Sequence, residues 1–192
     1  MLNSMKNGAE RIRAIVLSLR NFARLDEAQK KKVYIYEGID NTLLFLQNKL
    51  TKTKGQAIQI TKDYGNLPLV ECYAGQLNQV FLNILNNAIE ALDKTVEKHC
   101  KDAFYPQIHI RTEVLEGGDV LIRIADNGFG ISEDIQKRIF DPFFTTKPVG
   151  KGTGLGLAIS YEVIVEKHKG SLKCISEPGW GTAFWLQIPS HH

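Results

Sequence analysis

The chain has 192 residues, and its 24 lysine and arginine residues against 21 aspartate and glutamate residues give a formal net charge of +3. This length suits one domain with an extension, and 43% apolar with 23% charged residues predicts a buried core and excludes global disorder. The small, evenly spread charge argues against nucleic acid or an anionic membrane as the main partner. The apolar runs are far shorter than the roughly twenty residues of a membrane span.

The cysteines Cys72, Cys100 and Cys174 are odd in number and far apart, without a CxxC pair. We therefore expect neither a disulfide framework nor a zinc site. Because the chain also opens without a signal-peptide pattern, we expect a cytoplasmic location. Residues 190–192, Ser-His-His, are interpreted as a tail, with a tag remnant as one explanation.

The N-terminal segment predicts an amphipathic helix. Its apolar residues recur at spacings of three and four: Ile12, Ile15, Val16, Leu19, Phe22 and Ala23. Such a narrow stripe is typical of a coiled-coil or bundle helix that needs a partner, and the alternative is a helix packed on its own domain. The polar stretch at residues 26–32 indicates a linker.

The middle of the chain predicts a helix near residues 37–52, ended by Gly55, and short strands near residues 58–60 and 69–72. A longer helix follows over about residues 74–93, since apolar residues again recur at helical spacing.

The second half predicts a hairpin of residues 108–114 and 120–124, a short helix capped by Ser132, and a helix from residue 155 to Gly170. Two closing strands flank the turn at residues 178–181. This order of helices and antiparallel hairpins predicts an α+β fold, a two-layer α/β sandwich with helices on one face of a mixed, mostly antiparallel sheet.

Two asparagines four residues apart, Asn83 and Asn87, share one face of the predicted long helix, away from its apolar stripe. Carboxamide oxygens at this spacing can ligate a hard cation such as Mg²⁺, and Asn86 adds a third amide. The alternative is a solvated polar face.

The segment Asp126-Asn127-Gly128-Phe129-Gly130 follows a buried strand. An ionised carboxylate there can accept a hydrogen bond from an exocyclic amine such as that of adenine, and the glycines allow backbone to approach a flat ring. The alternative is a strand-end turn with Asp and Gly in ordinary turn positions.

Residues 150–157, Gly-Lys-Gly-Thr-Gly-Leu-Gly-Leu, alternate glycines directly before a predicted helix, an arrangement that favours phosphate binding. The segment is not a Walker A motif, because Gly152 stands where Ser or Thr is required. It is not a dinucleotide fingerprint either, because a loop precedes it. That loop contains residues 140–147, whose three phenylalanines we expect to anchor a lid. Lys147 either reaches a phosphate or stays solvated.

Taken in order, these segments resemble the catalytic, ATP-binding domain of sensor histidine kinases. Residues 83–87 resemble its N box, 126–130 its G1 box, 140–147 its F box and 152–156 its G2 box, and residues 179–182 resemble its closing glycine motif. The resemblance covers about residues 33–189. It implies the Bergerat-type ATP-binding fold shared with gyrase, Hsp90 and MutL.

The resemblance implies ATP and Mg²⁺ as cofactors, with Asn87 holding the metal and Asp126 binding the adenine amine under a lid of about residues 140–153. It implies catalytic positions at Asn83, Asn87 and Lys147. The implied nucleotide contacts are Asp126, Gly128, Gly130, Phe140, Lys151, Gly152, Thr153, Gly154, Leu155, Gly156 and Thr182.

Gyrase, Hsp90 and MutL carry a general-base glutamate four residues before the metal-binding asparagine, where this chain has Asn83. An amide cannot take a proton from water at neutral pH. We therefore expect ATP to be held with little hydrolysis, and its γ-phosphoryl group to be delivered to a histidine on a separate helix.

The N-terminal helix resembles the second helix of the kinase dimerisation hairpin. None of the five histidines has the surroundings expected of the phosphoacceptor: His99, His109, His168, His191 and His192. We therefore expect a fragment that does not autophosphorylate, with residues 1–29 as part of the hairpin and linker, 30–189 as the catalytic domain and 190–192 as a tail.

The resemblance also implies partners for the full-length parent: the phosphoacceptor helix, a response regulator receiver domain and a second copy of the parent as a homodimer. No nucleic-acid or membrane partner is expected for this fragment, whether the parent is soluble or membrane-anchored. Two alternatives stand beside the kinase interpretation, namely an ATPase motor or clamp of the gyrase or MutL type and a degenerate kinase used as a binding module. Asn83 argues against the first, and the intact motifs argue against the second.

Overall fold

The computed structural model describes residues 29–51, 56–98, 104–148 and 152–190. The predicted N-terminal helix and Lys151 lie outside these residues. Within the described ranges the elements in chain order are β1 (Lys31–Val33), α1 (Ile35–Thr51), β2 (Gln59–Tyr64), β3 (Val70–Cys72), α2 (Ala74–Lys98), β4 (Gln107–Val114), β5 (Val120–Asp126), α3 (Glu133–Gln136), α4 (Gly156–Tyr161), a π-helical segment (Glu162–Lys167), β6 (Ser171–Glu177) and β7 (Gly181–Ile188).

A five-stranded sheet in the order β2-β4-β5-β7-β6 forms the centre of the fold. β2 runs parallel to β4, and the other neighbouring strands are antiparallel. The predicted hairpin is present as β4 and β5, with Ile110 opposite Ile124. The α+β class and the mixed, mostly antiparallel sheet are confirmed.

The helices cover the apolar face of this sheet. Ile108 and Ile110 of β4 are buried, whereas His109 and Arg111 between them are exposed, because successive side chains point to opposite faces of a strand. The core that results joins α1, α2 and the sheet through fully buried apolar side chains, including Ile39, Leu46, Phe81, Ile84, Ile110 and Ile122.

The predicted linker at residues 26–32 is wrong at its end. Lys31 and Lys32 belong to β1, which pairs antiparallel with β3, so that Lys31 lies opposite Cys72. Composition alone assigns a run of three lysines to a linker. An edge strand tolerates exposed lysines, so the strand was not predicted from the sequence.

The long helix α2 is correctly placed but extends to Lys98, beyond the predicted end near residue 93. The short helix α3 begins after Ser132, yet the Ser132 side chain makes no capping hydrogen bond. Ser132 is therefore the N-cap residue as predicted, but the side-chain capping bond expected of it is absent. Across the described ranges, no helix is long and apolar enough to cross a membrane.

The helix predicted from residue 155 to Gly170 is α-helical only as far as Tyr161 and continues as a π-helical segment. His168 follows it and is fully buried. Its Nε2 accepts the Tyr73 backbone N–H at 3.1 Å, and its Nδ1 lies 2.7 Å from Val163 O. Because Nε2 accepts, Nδ1 carries the proton and donates, so this ring joins the end of the π-helical segment to the start of α2.

Candidate active site

A cleft of about 480 Å³ opens between α2, the end of β5 and the loop that precedes α4. Asn83, Asn86, Asn87 and Glu90 contribute polar side chains from α2. Other parts of the lining are apolar, from residues such as Ile131, Ile135, Ile139, Leu157 and Phe184. A cleft that combines an apolar slot with polar and charged groups suits a ligand with a flat apolar part and an anionic part.

Asp126 ends β5 and places a buried carboxylate, 9% exposed, in this cleft. Its Oδ1 accepts the Gly128 backbone N–H at 2.9 Å. Burial raises the pKa of Asp126 to about 6, although the backbone N–H groups of Gly128 and Thr182 favour the charged form and oppose this rise. The carboxylate is therefore an acceptor that is fully ionised only above that pH.

The glycines after Asp126 are required by the protein's own packing. A Cβ on Gly128 would lie 2.8 Å from Asp126 Oδ1 and 3.2 Å from Ala91 Cβ. Gly130 has φ +72°, and a Cβ there would lie 2.7 Å from Glu177 C at the end of β6. These glycines were predicted to let backbone approach a flat ring. Packing within the protein is a second explanation for them, and it needs no ligand.

Asn83 joins α2 to the start of α4. Its Nδ2 donates to Gly156 O at 2.8 Å and lies 3.3 Å from Ser160 Oγ, while its Oδ1 accepts from Gln79 Nε2 at 3.0 Å. Both ends of the amide are therefore engaged in holding the glycine-rich segment against α2.

Asn87 lies one helical turn further along α2 and lines the cleft. Its side chain is half-buried and has no hydrogen-bond partner among the described residues. A carboxamide in that state offers its oxygen to a ligand or a hard cation.

The described residues of the loop between α3 and α4 are fastened at several points. The Phe143 backbone N–H donates to Gly154 O at 2.9 Å. Phe140 packs on Tyr161, with ring centroids 5.4 Å apart, and Phe144 lies under the guanidinium of Arg138. Phe143 itself is 74% exposed with φ +66°, so the expectation that all three phenylalanines anchor a lid is wrong for the side chain of this one.

Lys147 lies one residue before the end of the described stretch 104–148, and its side chain reaches α2. Its Nζ lies 2.5 Å from Glu90 Oε2, and both residues line the cleft. The ion pair connects the loop to the helix that carries Asn83 and Asn87.

The structure brings most of the predicted site together. The lining includes Asn83, Asn87, Asp126, Gly130, Lys147, Gly152, Thr153, Gly154, Gly156 and Thr182. Gly128, Phe140 and Leu155 adjoin the site without being among the lining residues, and Lys151 lies outside the described residues.

The cleft is also lined by four side chains that are not among the predicted site residues: Lys49, Glu90, Lys94 and Phe129. Glu90 and Lys94 lie three and seven residues after Asn87, so helical spacing was a signal that would have found them. Lys49 belongs to a different helix, and no local pattern connects it to the site. The Nζ atoms of Lys94 and Lys98 lie 6.0 and 5.5 Å from the Phe129 ring centroid.

Comparison with known proteins agrees with this geometry. Residues 73–192 match the family described as histidine kinase-, DNA gyrase B-, and HSP90-like ATPase. Sporulation kinase E of Bacillus subtilis is 33% identical over 189 residues, covering 97% of this chain and 23% of that protein. The signal transduction histidine-protein kinase AtoS of Escherichia coli is 34% identical, covering 93% of this chain and 27% of that protein. The chain thus spans about a quarter of the length of these relatives.

Among solved structures, the nucleotide-free catalytic domain of histidine kinase ThkA superposes with a TM-score of 0.69 at 28% identity, covering 84% of this chain and 96% of that one. Full-length ShkA in complex with AMPPNP shares the fold with a TM-score of 0.76 at 24% identity, covering 97% of this chain and 37% of that one. The chain belongs to the histidine kinase-, DNA gyrase B-, and HSP90-like ATPase family, and the relatives it resembles are sensor histidine kinases.

Proposed function

We propose that this chain is the ATP-binding catalytic domain of a sensor histidine kinase, which donates the γ-phosphoryl group of ATP to a histidine on a helix outside the described residues. The observation that carries the proposal is the buried Asp126 carboxylate in a cleft that also holds Asn87 and the glycine-rich start of α4. The Asp126 carboxylate matches an adenine amine, and Asn87 matches the metal ion of a metal-bound triphosphate. The glycine-rich start of α4 matches the phosphate oxygens.

The base end of the site is the Asp126 end. Its carboxylate accepts the exocyclic amine of adenine, while the surrounding apolar side chains contact the ring and exclude water. A guanine base presents a carbonyl oxygen at the equivalent position, and two acceptors facing each other repel. The proposal therefore includes selectivity for adenine.

The residues present fit a magnesium ion bound together with the triphosphate. Asn87 supplies one amide oxygen, and Mg²⁺ usually keeps several waters and phosphate oxygens as its other ligands. The described residues contain no cluster of three or more His, Cys, Asp or Glu side chains for an all-protein metal site. Bound there, the ion would neutralise charge on the phosphates during transfer.

Asn83 accounts for the expected low hydrolysis of ATP. It lines the cleft where related ATPases carry a base, but its amide cannot accept a proton from water and is engaged with Gly156 and Gln79. Water bound beside the γ-phosphate is therefore not activated, and the phosphoryl group is retained until an acceptor histidine arrives.

Neither histidine of the described residues suits the acceptor role. His168 is fully buried with both ring nitrogens engaged. His109 is exposed on the sheet face opposite the helices, whereas the cleft lies on the helix side. The proposal therefore places the acceptor on another helix of a homodimeric parent, which then passes the phosphoryl group to a response regulator.

The test is a calorimetric titration with a non-hydrolysable ATP analogue and Mg²⁺. The wild-type chain should bind saturably, and Asp126→Asn should lose most of the affinity. Asp63→Asn, which removes the same charge from an exposed position on β2, serves as the matched control and should bind normally. A folded wild-type chain that does not bind would contradict the proposal and favour a degenerate binding module.

A second measurement separates a kinase from an ATPase. Mixed with a separately prepared histidine-bearing hairpin from a sensor kinase, the chain should phosphorylate the hairpin while releasing little phosphate alone. Steady release of phosphate, abolished by Asn87→Ala, would instead identify an ATPase of the gyrase or MutL type.

A further inference from the structure

Lys49 lies in the last turn of α1 and lines the cleft, although it belongs to none of the motif segments. Its Nζ donates to Asn86 Oδ1 at 2.7 Å. Asn86 in turn donates from Nδ2 to Leu82 O at 2.9 Å, which fixes its amide with the oxygen toward Lys49. The ammonium group is therefore held against the turn of α2 that carries Asn87.

Position along α2 indicates which part of a bound nucleotide Lys49 faces. Ala91 marks the base end, because it lies against Gly128 beside Asp126. Asn83 marks the other end, where its amide meets the start of α4. Asn86 lies between them, roughly 7.5 Å from Ala91 along the axis at 1.5 Å per residue. Lys49 thus meets the cleft on the phosphate side of the base.

A lysine in the last turn of a helix also stabilises that helix through its dipole, without any ligand. The dipole does not explain why the ammonium reaches a different helix and is held by an oriented amide in the wall of the cleft. Lys49 is an exposed residue, but this bond directs its positive charge toward the part of the cleft where phosphate oxygens would lie, and an ammonium group there strengthens the binding of phosphate.

We propose that Lys49 is a phosphate-binding residue, supplied by α1 from outside the motif segments, and that Asn86 is its positioning residue. The ammonium contacts the β- and γ-phosphate oxygens and so favours a triphosphate over shorter nucleotides. This inference rests on the proposed function, since it assumes that the cleft binds ATP.

The experiment compares the affinities of an ATP analogue, ADP and AMP for the wild-type chain and for Lys49→Gln. The variant should lose about tenfold in affinity for the ATP analogue, less for ADP and almost nothing for AMP, as expected for one charge-assisted contact. The dependence of ATP affinity on salt should also weaken. Lys49→Arg keeps the charge and should bind within about threefold of wild type, whereas Asn86→Ala should show a smaller loss in the same nucleotide order.

Lys173→Gln is the matched control, because Lys173 is exposed on β6 and is not among the lining residues. If Lys49→Gln binds the ATP analogue as tightly as Lys173→Gln does, the inference is wrong. It is also wrong if the loss is equal for ATP and AMP. A wild-type chain that binds no ATP contradicts the proposed function instead, so the two failures are distinguishable.

Discussion

Lys147 Nζ lies 2.5 Å from Glu90 Oε2, so the loop that closes the cleft is joined to α2 by an ion pair inside the candidate phosphate region. Glu90 is also one helical turn beyond Asn87. A negative side chain at this position repels phosphate and occupies the cation that phosphate would bind. We therefore expect a bound phosphate to compete with Glu90 for Lys147.

Replacing Glu90 should strengthen nucleotide binding. Glu90→Gln removes the repulsion and releases Lys147, and we expect affinity for Mg·ATP to rise about threefold, a modest gain because both side chains are partly exposed. Lys147→Gln should weaken binding by a similar factor. Titration calorimetry at low and high salt measures both changes.

The double variant Glu90→Gln/Lys147→Gln tests whether the two effects are coupled. Because the ion pair is already absent, adding Glu90→Gln to Lys147→Gln should raise affinity less than it does in the wild-type chain. Weaker ATP binding by Glu90→Gln alone would show that Glu90 helps to hold the nucleotide, against this prediction.

Asp126 should make stability depend on pH in a defined window. Burial raises its pKa to about 6 from 3.8, so between about pH 4 and 6 the folded chain holds a proton that the unfolded chain has lost. The free energy of unfolding therefore falls as pH rises through this window. The full shift corresponds to about 3 kcal/mol above pH 6.

Asp126→Asn should abolish this decrease in the free energy of unfolding between pH 4 and 6. The variant should therefore be more stable than wild type at pH 7, although it binds nucleotide poorly. Urea unfolding of both proteins at pH 4, 5, 6 and 7 gives the difference directly, and titrations common to both cancel. A difference that stays constant with pH would refute the prediction.

Gly154 should tolerate no side chain. It has φ +67°, and a Cβ there would lie 2.6 Å from Phe143 O, at the point where the two ends of the loop are hydrogen-bonded. We expect Gly154→Ala to lose tenfold or more in ATP affinity, because the alanine breaks this closure in addition to about 1 kcal/mol of backbone strain.

Variants of two other glycines separate the effect of the clash from that of backbone strain. Gly179 also has positive φ, +87°, but nothing lies within 4 Å of a Cβ there, so Gly179→Ala carries strain without a clash. Gly117 is open to space as well and does not have positive φ. Calorimetric titration should show normal ATP binding for both. Equal losses in all three variants would disprove a specific role for Gly154.

Asn83 should be needed for stability at the start of α4. Asn83→Asp replaces the amide that donates to Gly156 O with a carboxylate that cannot donate, and two acceptors then face each other. We expect a loss of about 1–3 kcal/mol in the free energy of unfolding. Asn48→Asp, at an exposed position of α1, makes the same chemical change as a control and should cost little. A stable Asn83→Asp variant would argue against this role.

The sequence was sufficient for most of the fold because the periodic signals are local. The alternation of residues 108–114 and the helical spacing from Leu77 to Leu92 each depend on burial of one face of one element. Lys31 and Lys32 lie in a strand without showing such a periodic pattern, since an edge strand paired with β3 does not require apolar residues. The π-helical segment was not predicted either, because the spacing of apolar residues does not distinguish one such turn from an α-helix. Its backbone bond from His168 N to Val163 O spans five residues.

The same distinction between local pattern and tertiary contact applies to the candidate site. Asn87, Asp126 and the glycine segment before α4 carry their chemistry in residue type and short-range spacing, so the sequence by itself indicated a nucleotide site and its kinase relatives. Contacts between distant segments were decided only by tertiary structure. Packing of α1 on α2 sets Lys49 against Asn86, and closure of the loop sets Lys147 against Glu90. No local pattern encodes which charge meets which, because that depends on how the helices and the loop come together.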